Sequence, residues 1–424
     1  MSRGALMKIT NVIGREIFDS RGMPTIECTL ILENGVQVSA CVPSGLSRSS
    51  YEASELRDGG HRLMGAGVLR SIENLEQIIG PELIGKTPDL VAMDIKMIDL
   101  DGTPNKSFLG SNTLLAASIA VCKAQAYINE METYELIGYL CNADTVSLPF
   151  PLFNLINGGK QIQNNLMIQE FLIVPAGAQN FRQSLEIGVT IFHSLKRILT
   201  KLGKSTMVTD EGGFAPIFED DRQALDCIVN AIEYLDESLQ DSVVIGINVG
   251  ASQLYDHVTK TYRWHGKSMT SQELIGVYAE LLDTYPIYSI EDGMSELDSH
   301  GCQMMTNALG DSIQIVGDDL FATNIERIAA GIDNNLANAA VIKPNQIGTV
   351  SETLQALRWC RENEINTIVS HRSGETNDTF IVDLAIGASA GQIKAGGCCR
   401  GEHMVKYNAL LRLEDELMNA SQDQ

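Results

Sequence analysis

The chain has 424 residues, 44% hydrophobic and 20% charged, which is ordinary for a globular protein and long enough for one large domain plus a second unit. Its 54 acidic residues against 31 basic ones leave a net charge of −23, a balance that repels a phosphate backbone and argues against nonspecific nucleic-acid binding. No stretch reaches an uninterrupted transmembrane length, and Met1–Gly22 lacks the basic patch, apolar core and small-residue cleavage site of a secretory signal. No membrane insertion and a cytoplasmic location are therefore expected. The nine cysteines form no zinc-type pair of doublets, so reduced, mostly buried thiols are expected.

Two alternating stretches, TIECTLIL and VQVSACV, flank Glu33-Asn34-Gly35, and an Asn-Gly step between such runs predicts a β-hairpin. Helical spacing follows at Leu69, Ile72, Leu75 and Ile78 and again from Leu114 to Tyr127, giving an α+β unit over residues 1–140. Gly80 to Thr87 matches the phosphate-loop pattern GxxxxGK[ST] letter for letter. It is rejected because helical spacing precedes it where a strand is needed, and Pro81 removes a backbone donor.

Residues 141–424 alternate strand-like and helical segments. Phe181, Leu185, Val189, Phe192, Leu195, Ile198 and Leu202 form one helix face that stops at Gly203. Thr270 with Glu273, Thr323 with Glu326 and Thr349 with Glu352 have the spacing of capping boxes. Six short apolar runs end on one polar residue each: Asn248, Glu291, Asp318, Lys343, His371 and Lys394. From Glu291 onward they are spaced by 27, 25, 28 and 23 residues, about the length of a βα unit, so the series predicts a β/α barrel with its chemistry at the C-terminal rim.

Glu291 and Asp318 are hard oxygen donors suited to Mg²⁺, and Asn248 at the preceding strand end offers an amide oxygen. Lys343 is placed to act as a general base if a nearby cation disfavours its protonated form. Arg372 and Lys394 bring positive charge for a phosphate or carboxylate. Gln169 and Glu170 of MIQEF and Glu211 of DEGGFAP are expected at the same rim. Among acidic neighbours, Glu211 is expected to have a raised pKa and to serve as a general acid. A base, an acid and a metal site on one rim point to proton abstraction beside a carboxylate and loss of a leaving group.

The motifs GREIFDSRGMPT, PSGLS, MIDLDGTPNK, NLINGG, IQEF, DEGGFAP, SIEDGM, VGDDLFATN, IKPNQIGT, SHRSGET and GQIKAG, in this order along nearly the whole chain, closely resemble the enolase family. The resemblance implies a small α+β N-terminal domain, a modified β/α barrel with an irregular ββαα start, Mg²⁺ dependence and a homodimer. It also implies reversible dehydration of 2-phosphoglycerate to phosphoenolpyruvate in glycolysis. By the same resemblance Lys343 is the base and Glu211 the acid, while Asn248, Glu291, Asp318 and the loop residue Ser47 are metal positions. Gln161, Gln169, Glu170, His371, Arg372, Ser373 and Lys394 fall at substrate positions.

Three features depart from the family pattern. Asn248 stands where the pattern has Asp, which removes one anionic ligand and is expected to weaken Mg²⁺ binding. Gln161 replaces a loop histidine, and Leu46, Arg48 and Ser49 add bulk to a loop that usually carries a hinge glycine. The resemblance with these departures implies a working member of the enolase family with weakened metal affinity. The alternatives are an enolase-fold binding or regulatory protein without catalysis, and a lyase or transferase for another phosphorylated or phosphonate carboxylic acid.

Overall fold

The computed structural model describes residues 7–45, 49–143, 145–160 and 162–422. Leu46, Ser47, Arg48 and Gln161, from the two loops that depart from the family pattern, lie outside them. Three strands open the chain, β1 (Ile9–Phe18), β2 (Pro24–Leu32) and β3 (Gln37–Cys41), paired antiparallel in that order. The expected hairpin joins β2 to β3, and Gly35 adopts φ 83°, which glycine enters without steric cost. The segment before the phosphate-loop look-alike is helical, and the helix continues over Gly80–Leu83. Gly80 and Pro81 are thus helical residues and form no cradle. The helix Ser111–Ile128 buries nearly every side chain against β2 and β3 and forms the centre of this unit.

Eight strands then close a barrel. They are β4 (Phe150–Asn157), β5 (Glu170–Pro175), β6 (Val243–Asn248), β10 (Ile287–Glu291), β11 (Gln314–Gly317), β12 (Ala339–Ile342), β13 (Asn366–Ser370) and β14 (Gly391–Gly397). A small sheet of β7 (Tyr255–Asp256), β8 (Thr261–Trp264) and β9 (Lys267–Met269) lies outside it. β5 runs antiparallel to both neighbours and the other pairs are parallel. The helices Phe181–Lys201 and Asp221–Ile232 follow before β6, so the start is ββαα. Leu152, Leu172, Val174, Val316, Ala339, Val341 and Ile368 fill the barrel interior as a separate apolar cluster, and its rim is left to polar side chains.

Local capping orders the βα repeats, with one correction. Thr270 and Glu273 form a reciprocal box, and Thr349 caps the helix Val350–Glu362. The helix Ile325–Asp333 is capped by Asn324, not Thr323. Thr323 is instead buried with φ 57°, where its hydroxyl donates to Gln346 Oε1 (2.7 Å) and accepts the N–H of Lys343 (2.8 Å). The first unit also caps the barrel. Ser118 Oγ accepts from Val350 N and Asp94 Oδ2 from Ser351 N, each at 2.9 Å.

Asp221 links the outer helices to the rim. Its buried carboxylate accepts the N–H groups of Met167 (2.9 Å) and Ile168 (3.1 Å), just before β5, and its other oxygen faces His265 Nε2 at 2.7 Å. The hydrogen bond to Asp221 raises the pKa of His265 despite partial burial. Asp221→Ala, which leaves these N–H groups unpaired, is expected to cost about 1–3 kcal/mol in denaturant melts. A raised folded pKa contributes stability that is complete below the unfolded value of about 6.5 and fades as pH rises through the folded value. His265→Ala should therefore destabilise the protein at about pH 6 and much less at about pH 9.

Candidate active site

The reversal of β5 decides which residues meet. Because β5 is antiparallel, its first residue, Glu170, lies beside the last residue of β6, Asn248, and Asn248 in turn pairs with Glu291 at the end of β10. A cavity of about 440 Å³ opens at this rim, lined by Gln169, Glu170, Glu211, Asn248, Asp318, Lys343, His371, Arg372, Ser373 and Lys394. Glu291 lies just behind them, with both carboxylate oxygens held by Lys394 Nζ at 2.8 and 2.9 Å. The same ammonium donates to Glu170 Oε2 at 2.8 Å.

Lys343 follows β12 in extended conformation, as Pro344 favours, and its ammonium donates to Asp318 Oδ2. Gln346 Nε2 holds the other Asp318 oxygen at 3.0 Å. Burial pushes the Asp318 carboxyl up, but Lys343 and Lys394 outweigh it and hold the group at about 2. Burial also favours neutral Lys343, yet the charge of Asp318 prevails and raises its pKa. Lys343 is therefore an ammonium in this arrangement, and neutralising it requires that Asp318 be engaged elsewhere.

Glu211 stands on a tight turn in which Gly212 N bonds Thr209 O (3.1 Å) and Thr209 N bonds Gly213 O (2.9 Å). Gly212 has φ 80°, and a Cβ there would come within 2.9 Å of His403 Nδ1 and 3.0 Å of Gly397 N, so packing and conformation both demand glycine. Glu211 Oε2 lies 2.6 Å from His371 Nε2, while His371 Nδ1 lies 2.9 Å from the Lys394 carbonyl, which only accepts. Nδ1 must carry a proton, so the contact between Nε2 and the carboxylate holds one further proton. The expectation of a raised Glu211 pKa is corrected here. Burial pushes it up, but the charge and hydrogen bond of His371 pull it down to about 2. His371 shifts upward because Glu211 outweighs its burial. A proton for an acid step would be shared by the Glu211–His371 pair.

Arg372 reaches toward the first unit, with Nη1 and Nη2 each 3.2 Å from Glu52 Oε2 and Nη1 3.2 Å from Asn345 Oδ1. Glu52, Asp292 and Asp319 also line the cavity and were not singled out above. The acidic doublets Glu291-Asp292 and Asp318-Asp319 were a usable signal for the last two, whereas Glu52 follows no strand end. The Asp292 oxygens accept the N–H groups of Asp318 (3.0 Å) and Asp319 (2.9 Å).

The chain matches the family models for the enolase N-terminal domain over residues 9–137 and the enolase C-terminal TIM barrel domain over residues 145–423. It belongs to the enolase family.

An enolase is generally Mg²⁺-dependent, and the rim offers the oxygen donors a hard dication takes. Asp292, Asp318 and Asp319 each place an oxygen within 4.8 Å of the others. Burial and mutual repulsion push Asp292 well up and Asp319 to about 7, a concentration of negative charge that a dication would relieve. Burial likewise carries Glu291 to about 7 against the pull of Lys394. The carboxylates fit such an ion. The amide of Asn248 is turned differently, because its carbonyl oxygen accepts Gly250 N–H at 3.0 Å and its Nδ2 donates to Glu170 Oε2 (2.8 Å) and Glu291 Oε1 (2.9 Å).

Glu211→Gln removes the charge that sustains His371 as a cation. Burial then dominates, and the imidazole pKa followed by NMR titration should fall below its wild-type value.

Proposed function

We propose that the chain is a hydro-lyase that reversibly dehydrates 2-phosphoglycerate to phosphoenolpyruvate, with Lys343 as the base and the Glu211–His371 pair as the acid. The observation that carries this reading is that the lysine following β12 and a proton-sharing Glu–His pair line one cavity with Arg372 and Lys394. Dehydration of this substrate needs one group to take the C2 proton and another to deliver a proton to the C3 hydroxyl. Lys343 takes the C2 proton as a neutral amine, and the electron pair spreads into the adjacent carboxylate. The C3–O bond then breaks, the electron pair forms the C2–C3 double bond, and the proton held between Glu211 and His371 leaves with the hydroxyl as water.

Lys394, buried among carboxylates, supplies positive charge near the substrate carboxylate. Arg372 and Ser373 face the phosphate, and Gln169 and Glu170 fix the polar wall beside it. Gln161 and Ser47 keep the substrate and second-metal roles that their motifs imply. Glu291 and Asp318 are the residues that would hold Mg²⁺, which when bound would supply positive charge for the developing enolate, and with Asp318 engaged in that way Lys343 would lose the partner that keeps it protonated. Loss of the third carboxylate at position 248 weakens that hold. We also propose that the protein acts in the cytoplasm as a homodimer.

Turnover of 2-phosphoglycerate should appear only at raised Mg²⁺, as read in a magnesium titration. Lys343→Ala should lower kcat by at least about 100-fold and abolish exchange of the C2 proton with solvent deuterium. Glu211→Gln should slow dehydration while keeping that exchange. Persistent C2 exchange in Lys343→Ala would remove this residue from the base role.

A further inference from the structure

Asn248 occupies the middle of three adjacent strand ends. Glu170 is its register partner across β5 and β6, and Glu291 is its partner across β6 and β10. Both amide hydrogens are committed to these two carboxylates, at 2.8 and 2.9 Å. The oxygens that receive them, Glu170 Oε2 and Glu291 Oε1, are the ones Lys394 Nζ holds at 2.8 Å. The four side chains form a closed ring in which two donors alternate with two acceptors.

The sense of the amide is set from outside the ring. Gly250 N–H points at Asn248 Oδ1 from 3.0 Å, and a backbone N–H can only donate. Turning the amide over would set its NH₂ against that N–H and its oxygen against two carboxylates. The backbone is held in place by Gln169 N, which bonds Asn248 O at 2.8 Å. Gly250 is held as well, because its carbonyl accepts Gln253 N–H at 3.1 Å, the next residue bonds Asp292 O at 2.9 Å, and a Cβ at position 250 would run into the Gln169 side chain. An aspartate at this position would supply no donor and would add a third negative group facing Glu170 and Glu291.

We infer that Asn248 is a positioning residue, a neutral clasp that organises Glu170, Glu291 and Lys394 without a metal ion, and that it is not itself a ligand of the dication proposed above. The metal half of this inference rests on that proposal, while the clasp rests on the ring alone.

Thermal melting in EDTA and in excess Mg²⁺, combined with Mn²⁺ binding followed by electron paramagnetic resonance, tests both halves on the full chain. Wild-type protein should melt within about 2 °C of the same temperature in EDTA and in Mg²⁺, whereas Asn248→Asp should lose more than about 4 °C in EDTA and recover it with Mg²⁺. If Asn248→Asp folds only when Mg²⁺ is present, the clasp is supported in the same sense. Asn248→Ala should keep Mn²⁺ affinity within about twofold of wild type, and Asn248→Asp should bind at least about tenfold more tightly. Melting of Asn248→Asp at the wild-type temperature in EDTA, or a wild-type gain with Mg²⁺ as large as that of Asn248→Asp, overturns the clasp. A folded Asn248→Ala protein with tenfold weaker Mn²⁺ binding makes Asn248 a ligand and overturns the second half. If neither wild type nor Asn248→Asp binds Mn²⁺, the dication proposal falls, and the clasp stands or falls on the EDTA melts.

Discussion

Mutual repulsion among carboxylates is the constraint on which the barrel mouth depends. Glu170, Glu291, Asp292, Asp318 and Asp319 converge there, nearly all out of solvent. Two like charges 4 Å apart in such surroundings repel by about 4 kcal/mol, so the arrangement persists only if the fully buried carboxylates are neutralised or hydrogen-bonded. Lys394 serves Glu170 and Glu291, Lys343 serves Asp318, and two backbone N–H groups serve Asp292. The same groups that make the fold tolerable are those a small anionic substrate would meet.

That convergence is a property of the barrel's irregular start. In a regular βα repeat only strand C-termini reach the catalytic face. Reversing β5 sends its N-terminal end there instead, which adds Gln169 and Glu170 to the rim and frees the loop after β5 from that task. The Glu211–His371 pair comes from a different device, a turn made tight by two glycines and braced by Gly397 and His403. His403 is fully buried with no hydrogen-bond partner for either ring nitrogen among the described residues, and burial together with the charge on His371 lowers its pKa to about 3. A neutral imidazole there leaves the proton to the Glu211–His371 pair.

The N-terminal unit contributes more than a cover. It reaches the cavity through Glu52, which pairs with Arg372. It also supplies acceptors for the first turn of the helix Val350–Glu362 through Ser118 and Asp94, and Lys106 pairs with Glu352 at 2.6 Å. That helix follows the short segment carrying Pro344 and Gln346, so the contacts also steady the neighbourhood of Lys343. Ser49 Oγ donates to the Asp319 carbonyl at 2.8 Å, and Ser50 Oγ donates to Glu296 at 2.9 Å, so Ser49 and Ser50 anchor the first unit on the barrel.

Periodicity and spacing made much of this legible in the chain itself. Alternation with Asn-Gly revealed the first hairpin, and the evenly spaced strand ends from Glu291 to Lys394 revealed the barrel and most of its rim, because local apolar patterns follow which faces are buried. The direction of β5, the identity of the cap at Asn324, the reach of Glu52 into the cavity and the partners of each ionisable group were decided only when distant segments met. A pKa depends on neighbours within a few ångströms, and for Glu211 the decisive neighbour, His371, is 160 residues away. The sequence could announce that Asn248 stands at a strand end. Only the folded barrel, by placing Gly250 N–H on one side and two carboxylates on the other, determined which end of its amide faces them.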